Sequence, residues 1–264
     1  MTQSAMAKKA QSDPIALFVS DLHLQESHPH TTQAFFDFLK THAMYARQLY
    51  LLGDLFEYWA GDDDLVTPYN KKIAEAIRHV SDAGIEVFWI AGNRDFLVGK
   101  DFARSAGMTL LPDPYVAQIA GQQIVLAHGD AQCTDDVSYM AFRNQVRHPE
   151  WQEKFLSQSL SERKAIIAGM RAESRSSQRT KSMEIMDVNQ AAISSLFSTT
   201  GTSLMIHGHT HRPARHEYHD KNNVRVRYVL PDWECDTAPV RGGWIEIGSD
   251  GCIKRFDING IELQ

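Results

Sequence analysis

Residues that could bind metal follow five short apolar segments of the sequence, usually beside a glycine. In an α/β fold, ligands bind outside the carboxyl ends of the strands, so side chains placed there can converge on one crevice. Asp and His are common metal ligands, and their grouping at such positions predicts a metal centre. The candidate ligands are Asp21, His23, Asp54, Asn93, His128, His207 and His209.

Two of these segments carry candidate ligands spaced two residues apart. Asp21 and His23 form one pair, and His207 and His209 form the other. In extended backbone, residues i and i+2 point to the same side, so each pair can present two ligands to one site. His211 continues the same period, and we expect it to support the ligands instead of binding metal itself.

The candidate ligand set combines carboxylate, amide and imidazole groups and contains no cysteine. This mixture disfavours structural zinc and favours a hydrolytic site for Mn²⁺, Fe²⁺, Co²⁺ or Zn²⁺. Seven ligands exceed the needs of one tetrahedral ion but suit two ions that share a bridging carboxylate, for which Asp54 is the natural choice. Two such ions activate water and stabilise a phosphoryl oxygen. Any one motif could be accidental, but five motifs at predicted strand ends argue against that alternative.

The elements that must position these ligands are visible in the hydropathy pattern. Apolar segments such as Ile15–Val19 and Leu49–Leu52 alternate with helical patterns, and short strands dominate after Leu204. This order predicts an α/β fold with a two-sheet core and flanking helices. Residues 1–13 are polar and low in complexity, so we expect a disordered N-terminal extension before one domain spanning residues 14–264.

A helical stretch at about residues 134–199 interrupts this alternation. The whole chain has a net charge of −6, but the window Tyr139–Met183 contains nine Lys or Arg residues and four Glu residues. The contrast indicates an inserted helical module with its own electrostatic task. The alternative is a solvated helix face that is merely basic.

Composition excludes several classes of protein. The chain is 43% hydrophobic, which is enough for a sizeable core, and no segment approaches the roughly 18–20 apolar residues of a membrane span. An acidic chain is a poor non-specific nucleic-acid binder, so we expect no nucleic-acid partner. Three widely spaced cysteines favour a reducing compartment.

These motifs resemble those of the calcineurin-like metallophosphoesterase superfamily, whose pattern is Asp-x-His, Gly-Asp, Gly-Asn, His and Gly-His-x-His. The resemblance implies an αββα sandwich core with an inserted helical lid. The matching segments are Ser20–Leu24, Gly53–Glu57, Gly92–Phe96, His128–Asp130 and His207–His211. Within that superfamily, the UDP-2,3-diacylglucosamine diphosphatase family of lipid A biosynthesis is more closely similar. The additional segments that resemble it are Cys133–Asp136, Met170–Ala172, Ile185–Asn189 and His207–Pro213.

The closer resemblance implies hydrolysis of the pyrophosphate bond of UDP-2,3-diacylglucosamine at the α-phosphorus. The products would be UMP and 2,3-diacylglucosamine 1-phosphate (lipid X). It also implies two Mn²⁺ ions per chain, with other divalent metals possible, and a cytoplasmic enzyme bound peripherally to the cytoplasmic face of the inner membrane. The implied substrate contacts are Asn93, Arg94, Asp136, Ser174, Gln178, Lys181 and His207, with Gln178 in place of the family's asparagine. The alternatives are another dinuclear-metal phosphodiesterase or nucleotide pyrophosphatase of this superfamily, or a non-enzymatic scaffold.

Arg94 stands where many members of the superfamily are expected to carry a histidine that protonates the leaving group. Arginine cannot donate a proton at neutral pH, because its pKa exceeds about 12, but its planar fork suits bidentate phosphate binding. Without that acid, the favoured leaving group is one that departs unprotonated, such as a phosphate monoester with a second pKa near ~6. We therefore expect Arg94 to be catalytic and the substrate to be a pyrophosphate.

The helical stretch then has an expected role as a lid. Its basic side chains can contact phosphates, and its apolar positions can shelter acyl chains or contact an anionic membrane surface. The alternative is that the apolar stripe only packs the helices on the core. We expect the acidic segment Asp62–Asp64 to be a solvated loop, and residues 230–241 suggest no function.

Overall fold

The computed structural model describes residues 13–178, 187–220 and 223–263. The predicted extension at residues 1–13 lies outside these ranges except for Asp13. The strands of a seven-stranded sheet are β1 (Pro14–Val19), β2 (Gln48–Leu51), β3 (Glu86–Ile90), β4 (Met108–Leu111), β10 (Gly243–Gly248), β11 (Ile253–Asp257) and β12 (Glu262–Leu263). The strands of a five-stranded sheet are β5 (Tyr115–Ile119), β6 (Gln122–Ala127), β7 (Leu204–His207), β8 (Ala214–Asp220) and β9 (Asn223–Val229).

Each sheet has a parallel part, which is bordered by antiparallel strands on one side in the first sheet and on both sides in the second. The first sheet has the order β12-β11-β10-β1-β2-β3-β4, in which β1 to β4 are parallel. The second has the order β5-β6-β7-β9-β8, in which β6, β7 and β9 are parallel. Most residues of the central strands β1, β2, β6 and β7 are buried, which explains their largely apolar sequences.

The sheets pack face to face, and helices cover their outer faces. Phe18 of β1 and Leu126 of β6 belong to the apolar layer between the sheets. The opposite face of the first sheet packs on α1 (Pro29–Thr41), α2 (Pro68–Asp82) and α3 (Lys100–Ala106). This layering confirms the predicted two-sheet αββα sandwich.

The predicted helical stretch contains α4 (Val137–Val146), α5 (Pro149–Leu156), α6 (Leu160–Gln178) and α7 (Gln190–Thr200). Ile193 and Phe197 of α7 pack on Val125 and Met205 of the second sheet. Helix α7 is therefore the outer layer of the core, and the inserted helices described by the structure are α4 to α6. Within the described residues, no helix combines the length and hydropathy needed to cross a membrane.

The acidic segment Asp62–Asp64 holds the start of α3 and part of α6 against the core on the side of the first sheet. Asp62 accepts hydrogen bonds from three backbone N–H groups at the start of α3. The next two carboxylates form ion pairs with Arg163 and Lys164 of α6. The expectation of a solvated loop is wrong, because Asp64 is only 2% exposed and Asp63 pairs with Arg163, which is only 3% exposed.

Candidate metal centre

The loops that follow β1, β2, β3, β6 and β7 meet at one edge of the sandwich. The Asp21 N–H donates to the Gly53 carbonyl at 3.1 Å, and the Gly208 N–H donates to the His128 carbonyl at 2.9 Å. A Cβ on Gly53 would lie 2.6 Å from the Gly92 Cα, so glycine is needed where these loops touch. The backbone thus brings the strand ends into contact, as the sequence predicts.

One group of side chains gathers around the first strand end. The Nε2 atoms of His23 and His211 are 3.3 Å apart, and His211 Nε2 lies 3.4 Å from Asp21 Oδ1. Asp54 Oδ2 lies 4.0 Å from His23 Nε2. These four side chains can provide two oxygen and two nitrogen ligands to one ion.

A second group lies on the other side of Asp54. Its Oδ1 atom is 3.6 Å from His128 Nε2, which in turn lies 3.0 Å from Asn93 Oδ1. His209 Nδ1 lies 2.8 Å from the same Asn93 oxygen. Because the two oxygens of Asp54 face different groups, this carboxylate has the position expected of a bridge.

His207 does not enter either group. Its Nδ1 donates to the Gly208 carbonyl at 2.8 Å, and its Nε2 accepts from Arg227 Nη1 at 2.8 Å. Burial and the neighbouring guanidinium lower the pKa of His207 to about 3, so the ring is neutral. Both ring nitrogens are engaged inside the second sheet, and His211 takes the place in the cluster that the sequence suggested for His207.

Backbone conformation also separates the cluster from its surroundings. Left-handed φ angles are uncommon for residues other than glycine and concentrate at functional sites, where packing maintains the strain. The φ angle of His207 is not positive. Within the described ranges, Ala120 is the one non-glycine residue outside the cluster that has a positive φ. The cluster residues with positive φ are Asp21 (54°), His23 (48°), Asp54 (53°), His209 (68°) and His211 (54°).

The cluster suits divalent cations. Asp21 is fully buried, and its Oδ1 atom has no well-aligned hydrogen-bond donor among the described residues. Burial opposes a positive charge on His128, but Asp54, Asp21 and Asp130 nevertheless raise its pKa to about 9. Such a concentration of buried negative charge is stabilised by a cation, and its mixed oxygen and nitrogen donors match a hydrolytic metal pair.

Two buried carboxylates hold the loops around the cluster. Asp95 accepts backbone N–H groups from Gly92 and from residues 54–56, and burial together with Asp54 raises its pKa to about 7. Asp130 accepts from the Tyr139 hydroxyl at 2.6 Å and from Arg143 Nε at 2.8 Å. These contacts connect the β2 and β3 loops to each other and α4 to the β6 loop.

Two further acidic side chains contact cluster histidines and were not recognised in the sequence. Glu57 Oε2 lies 3.0 Å from His23 Nδ1, and Asp232 Oδ2 lies 3.6 Å from His211 Nδ1. Glu57 ends the matching segment Gly53–Glu57, but no role was predicted for its side chain. Asp232 belongs to the stretch at residues 230–241, for which the sequence suggested no role.

The remaining predicted site residues have more varied positions. The Arg94 N–H donates to Asp54 Oδ1 at 2.8 Å, so Arg94 borders the cluster. Asp136 is the N-cap of α4, where it accepts the Tyr139 N–H at 3.0 Å. The side chains of Ser174 and Gln178, in α6, and the whole of Lys181 lie outside the part of the chain that the structure describes.

A family model and several known proteins match this chain over most of its length. A family model for calcineurin-like phosphoesterase matches residues 16–213. A UDP-2,3-diacylglucosamine hydrolase of Aromatoleum aromaticum is 46% identical over 86% of this chain and 92% of its own length. Proteins of the same name are 43% identical in Bordetella pertussis (96% of this chain, 98% of the relative) and 47% identical in Escherichia coli O7:K1 (85% and 93%).

Proposed function

Because this chain belongs to the calcineurin-like phosphoesterase family, we propose that it is a UDP-2,3-diacylglucosamine diphosphatase acting in lipid A biosynthesis. It hydrolyses the pyrophosphate bond at the α-phosphorus and releases UMP and 2,3-diacylglucosamine 1-phosphate. The observation that carries this proposal is the convergence of two ligand groups on Asp54, with the backbone of Arg94 bonded to the same carboxylate. A metal pair and an arginine at one position suit a substrate with two phosphates.

The geometry supports a revised ligand set for two Mn²⁺ ions. One ion would be held by Asp21, His23, Asp54 and His211, and the other by Asp54, Asn93, His128 and His209. His207 is left out both as a ligand and as a substrate contact, because Arg227 and Gly208 occupy its ring nitrogens. When bound, such ions lower the pKa of a water molecule and neutralise charge on phosphoryl oxygens.

The protein's own residues position the substrate and stabilise its charge. Arg94 has a side chain that is 24% exposed beside the cluster, where its guanidinium can bind a phosphate of the substrate. Asn93 contributes its amide on the same loop. No protein acid is required, because the lipid phosphate leaves as a weakly basic anion. Asp95 and Asp130 keep the loops that carry these groups in place.

Helices α4 to α6 are proposed to form the lid over the lipid part of the substrate. Val137 and Phe142 of α4 and Leu156 of α5 are large apolar residues that are 76%, 40% and 41% exposed. They provide apolar surface for acyl chains or for the membrane from which the substrate comes. Asp136, Ser174, Gln178 and Lys181 remain proposed substrate contacts on this insertion.

We also propose peripheral binding to the cytoplasmic face of the inner membrane. Several basic side chains of the insertion contact the core and leave less positive charge for a membrane than the sequence suggests. The proposed membrane binding is therefore supported more by the exposed apolar residues of α4 and α5 than by the positive charge of the insertion. The basic residues in contact with core groups are Arg143, Arg147, Arg163, Lys164 and Arg171.

Hydrolysis of UDP-2,3-diacylglucosamine in heavy-oxygen water, followed by mass spectrometry of the products, tests the proposal. We expect Mn²⁺-dependent turnover with the label in UMP, and an Asp54→Asn variant should lose this turnover. Label in the lipid phosphate would contradict attack at the α-phosphorus. Turnover of simple phosphodiesters without turnover of this substrate would instead support another enzyme of the superfamily.

A further inference from the structure

Glu57 contacts two different parts of the molecule with its two carboxylate oxygens. Its Oε2 atom lies 3.0 Å from Nδ1 of His23 in the cluster. Its Oε1 atom forms an ion pair with Arg171 of α6 and lies 3.9 Å from Arg94 Nη1. The Glu57 side chain is 15% exposed, so these contacts are largely shielded from water. Glu57 therefore lies between the candidate metal centre and the inserted helices.

The contact with His23 determines which ring nitrogen is available to a metal. Glu57 Oε2 is close to His23 Nδ1 without the alignment of a hydrogen bond. Its negative charge nevertheless favours the imidazole proton on Nδ1, which leaves the Nε2 lone pair free. His23 Nε2 is the atom that faces His211 and Asp54. Glu57 thus orients the His23 ring in the tautomer that the proposed ligand role requires.

Among the described side chains of α6, the contact with Arg171 is one of three ion pairs that dock this helix on the core. Each pair joins a cation of α6 to an acidic residue of the β2 side of the molecule. Among these three pairs, the Arg171 pair is the only one whose carboxylate also contacts a histidine of the cluster. The pairs are Arg163 with Asp63, Lys164 with Asp64, and Arg171 with Glu57.

We propose that Glu57 is a positioning residue that couples the docking of α6 to the orientation of His23. Docking places Arg171 on Oε1, which fixes the carboxylate and aims Oε2 at the His23 ring. Metal binding at His23 and docking of α6 then stabilise each other, since coupling between two binding equilibria is reciprocal. The inference rests on the proposed function to the extent that His23 is a metal ligand in it.

Mn²⁺ affinity of the full-length protein, measured by chelator competition after metal removal, tests one direction of the coupling. Arg171→Met and Lys164→Met each remove one docking cation from α6, but only Arg171 reaches Glu57. We expect Arg171→Met and Glu57→Gln to weaken binding of one of the two Mn²⁺ ions, the one proposed at His23, about 10-fold or more. Lys164→Met, the matched control, removes a docking cation that does not reach Glu57 and should lower the Mn²⁺ affinities much less. Equal Mn²⁺ affinities in Arg171→Met and Lys164→Met would overturn the proposal.

Hydrogen exchange of the α6 amides over residues 160–172 tests the other direction. Mn²⁺ should slow exchange in the wild type and in Lys164→Met, but not in Glu57→Gln. Mn²⁺-independent exchange in the wild type would overturn the coupling. Neither measurement uses the lipid substrate, so inactivity towards UDP-2,3-diacylglucosamine contradicts the proposed function alone, whereas failure of the wild type to bind Mn²⁺ contradicts both.

Discussion

His207 accepts a hydrogen bond from the buried guanidinium of Arg227, with 2.8 Å between Nε2 and Nη1. The two residues lie on neighbouring strands β7 and β9, and Arg227 is only 5% exposed. Arg227 Nε donates to the Tyr218 hydroxyl at 2.8 Å, so the guanidinium has acceptors on two sides. His207 therefore serves as a neutral hydrogen-bond acceptor for a buried guanidinium inside the second sheet, whereas His209 and His211 face the cluster.

This relationship predicts different effects for two histidine substitutions. His207→Phe should destabilise the protein by about 2–3 kcal/mol, because it removes one of the two hydrogen-bond acceptors of a buried guanidinium, yet it should retain two Mn²⁺ per chain. His211→Ala should lose one Mn²⁺ per chain with a smaller loss of stability. Elemental analysis of the purified variants and urea unfolding would check both. If His207→Phe bound one Mn²⁺ fewer than the wild type, His207 would be a metal ligand after all.

Six of the seven predicted ligands lie in the cluster, because strand ends can be recognised from apolar segments that stop at Asp, Asn or His. The seventh, His207, lies outside the cluster for a physical reason. Alternation along a strand makes His207, His209 and His211 equivalent, but β7 ends at His207 and the backbone is left-handed at the next two histidines. The superfamily pattern, read with Gly208 as its glycine, would have selected His209 and His211.

Sequence patterns do not predict contacts between segments that are far apart in the chain. The ion pairs of Arg163 and Arg171 with Asp63 and Glu57 span about a hundred residues each, and nothing in the local pattern pairs these side chains. Helix α7 was assigned to the insertion because its sequence is helical. Only the packing of Phe197 on the second sheet shows that it belongs to the core.

Arg94→Lys should lower kcat on the pyrophosphate substrate by about 10²–10³-fold while leaving the Mn²⁺ content unchanged. The reason is that lysine keeps the positive charge but cannot make the bidentate contact with a phosphate. Steady-state kinetics and elemental analysis would measure the two effects. Arg104→Lys, at an exposed position on α3, is the control for the same chemical change.

The wild type should also turn over pyrophosphate-linked substrates much faster than phosphoserine peptides, since it has no acid at position 94 for an alkoxide leaving group. Parallel assays with both substrates at equal Mn²⁺ concentration would measure the ratio. Comparable rates would contradict the role assigned to Arg94.

Asp232→Asn should weaken Mn²⁺ binding about 10–100-fold at the ion associated with His211. Asp232 Oδ2 lies 3.6 Å from His211 Nδ1, and Arg241 Nε donates to the same oxygen at 2.6 Å, which holds the carboxylate in place. An amide can rotate its NH₂ group towards the ring and favour the wrong tautomer. Chelator competition would measure the change, and an unaltered affinity would assign Asp232 to the local fold alone.

Anionic phosphatidylglycerol vesicles should carry the wild-type protein upward in a flotation gradient. Serine at both Phe142 and Leu156 should reduce the floating fraction several-fold, because these exposed side chains provide the apolar contact. Ile261→Ser, at another exposed position, is the control. Equal flotation of the double variant would place membrane contact elsewhere, and vesicles of neutral phosphatidylcholine would show how much depends on charge.

Asp113→Asn should flatten the dependence of stability on pH between about pH 4 and 6. The Asp113 side chain is 8% exposed, and its Oδ2 atom lies 3.7 Å from Arg143 Nη2 without a hydrogen-bond partner among the described residues. Burial together with Asp130 raises its pKa to about 6. The folded protein then binds this proton more tightly than the unfolded chain, so the wild type loses on the order of 2 kcal/mol as pH rises through that window. Urea unfolding with a chelator present, at pH 4 and pH 7, measures the loss without a contribution from metal. The control is Asp37→Asn, which neutralises an exposed carboxylate of α1 and should leave the pH dependence of the unfolding free energy as in the wild type. If Asp113→Asn showed that same pH dependence, the Asp113 carboxylate would ionise normally in the folded protein.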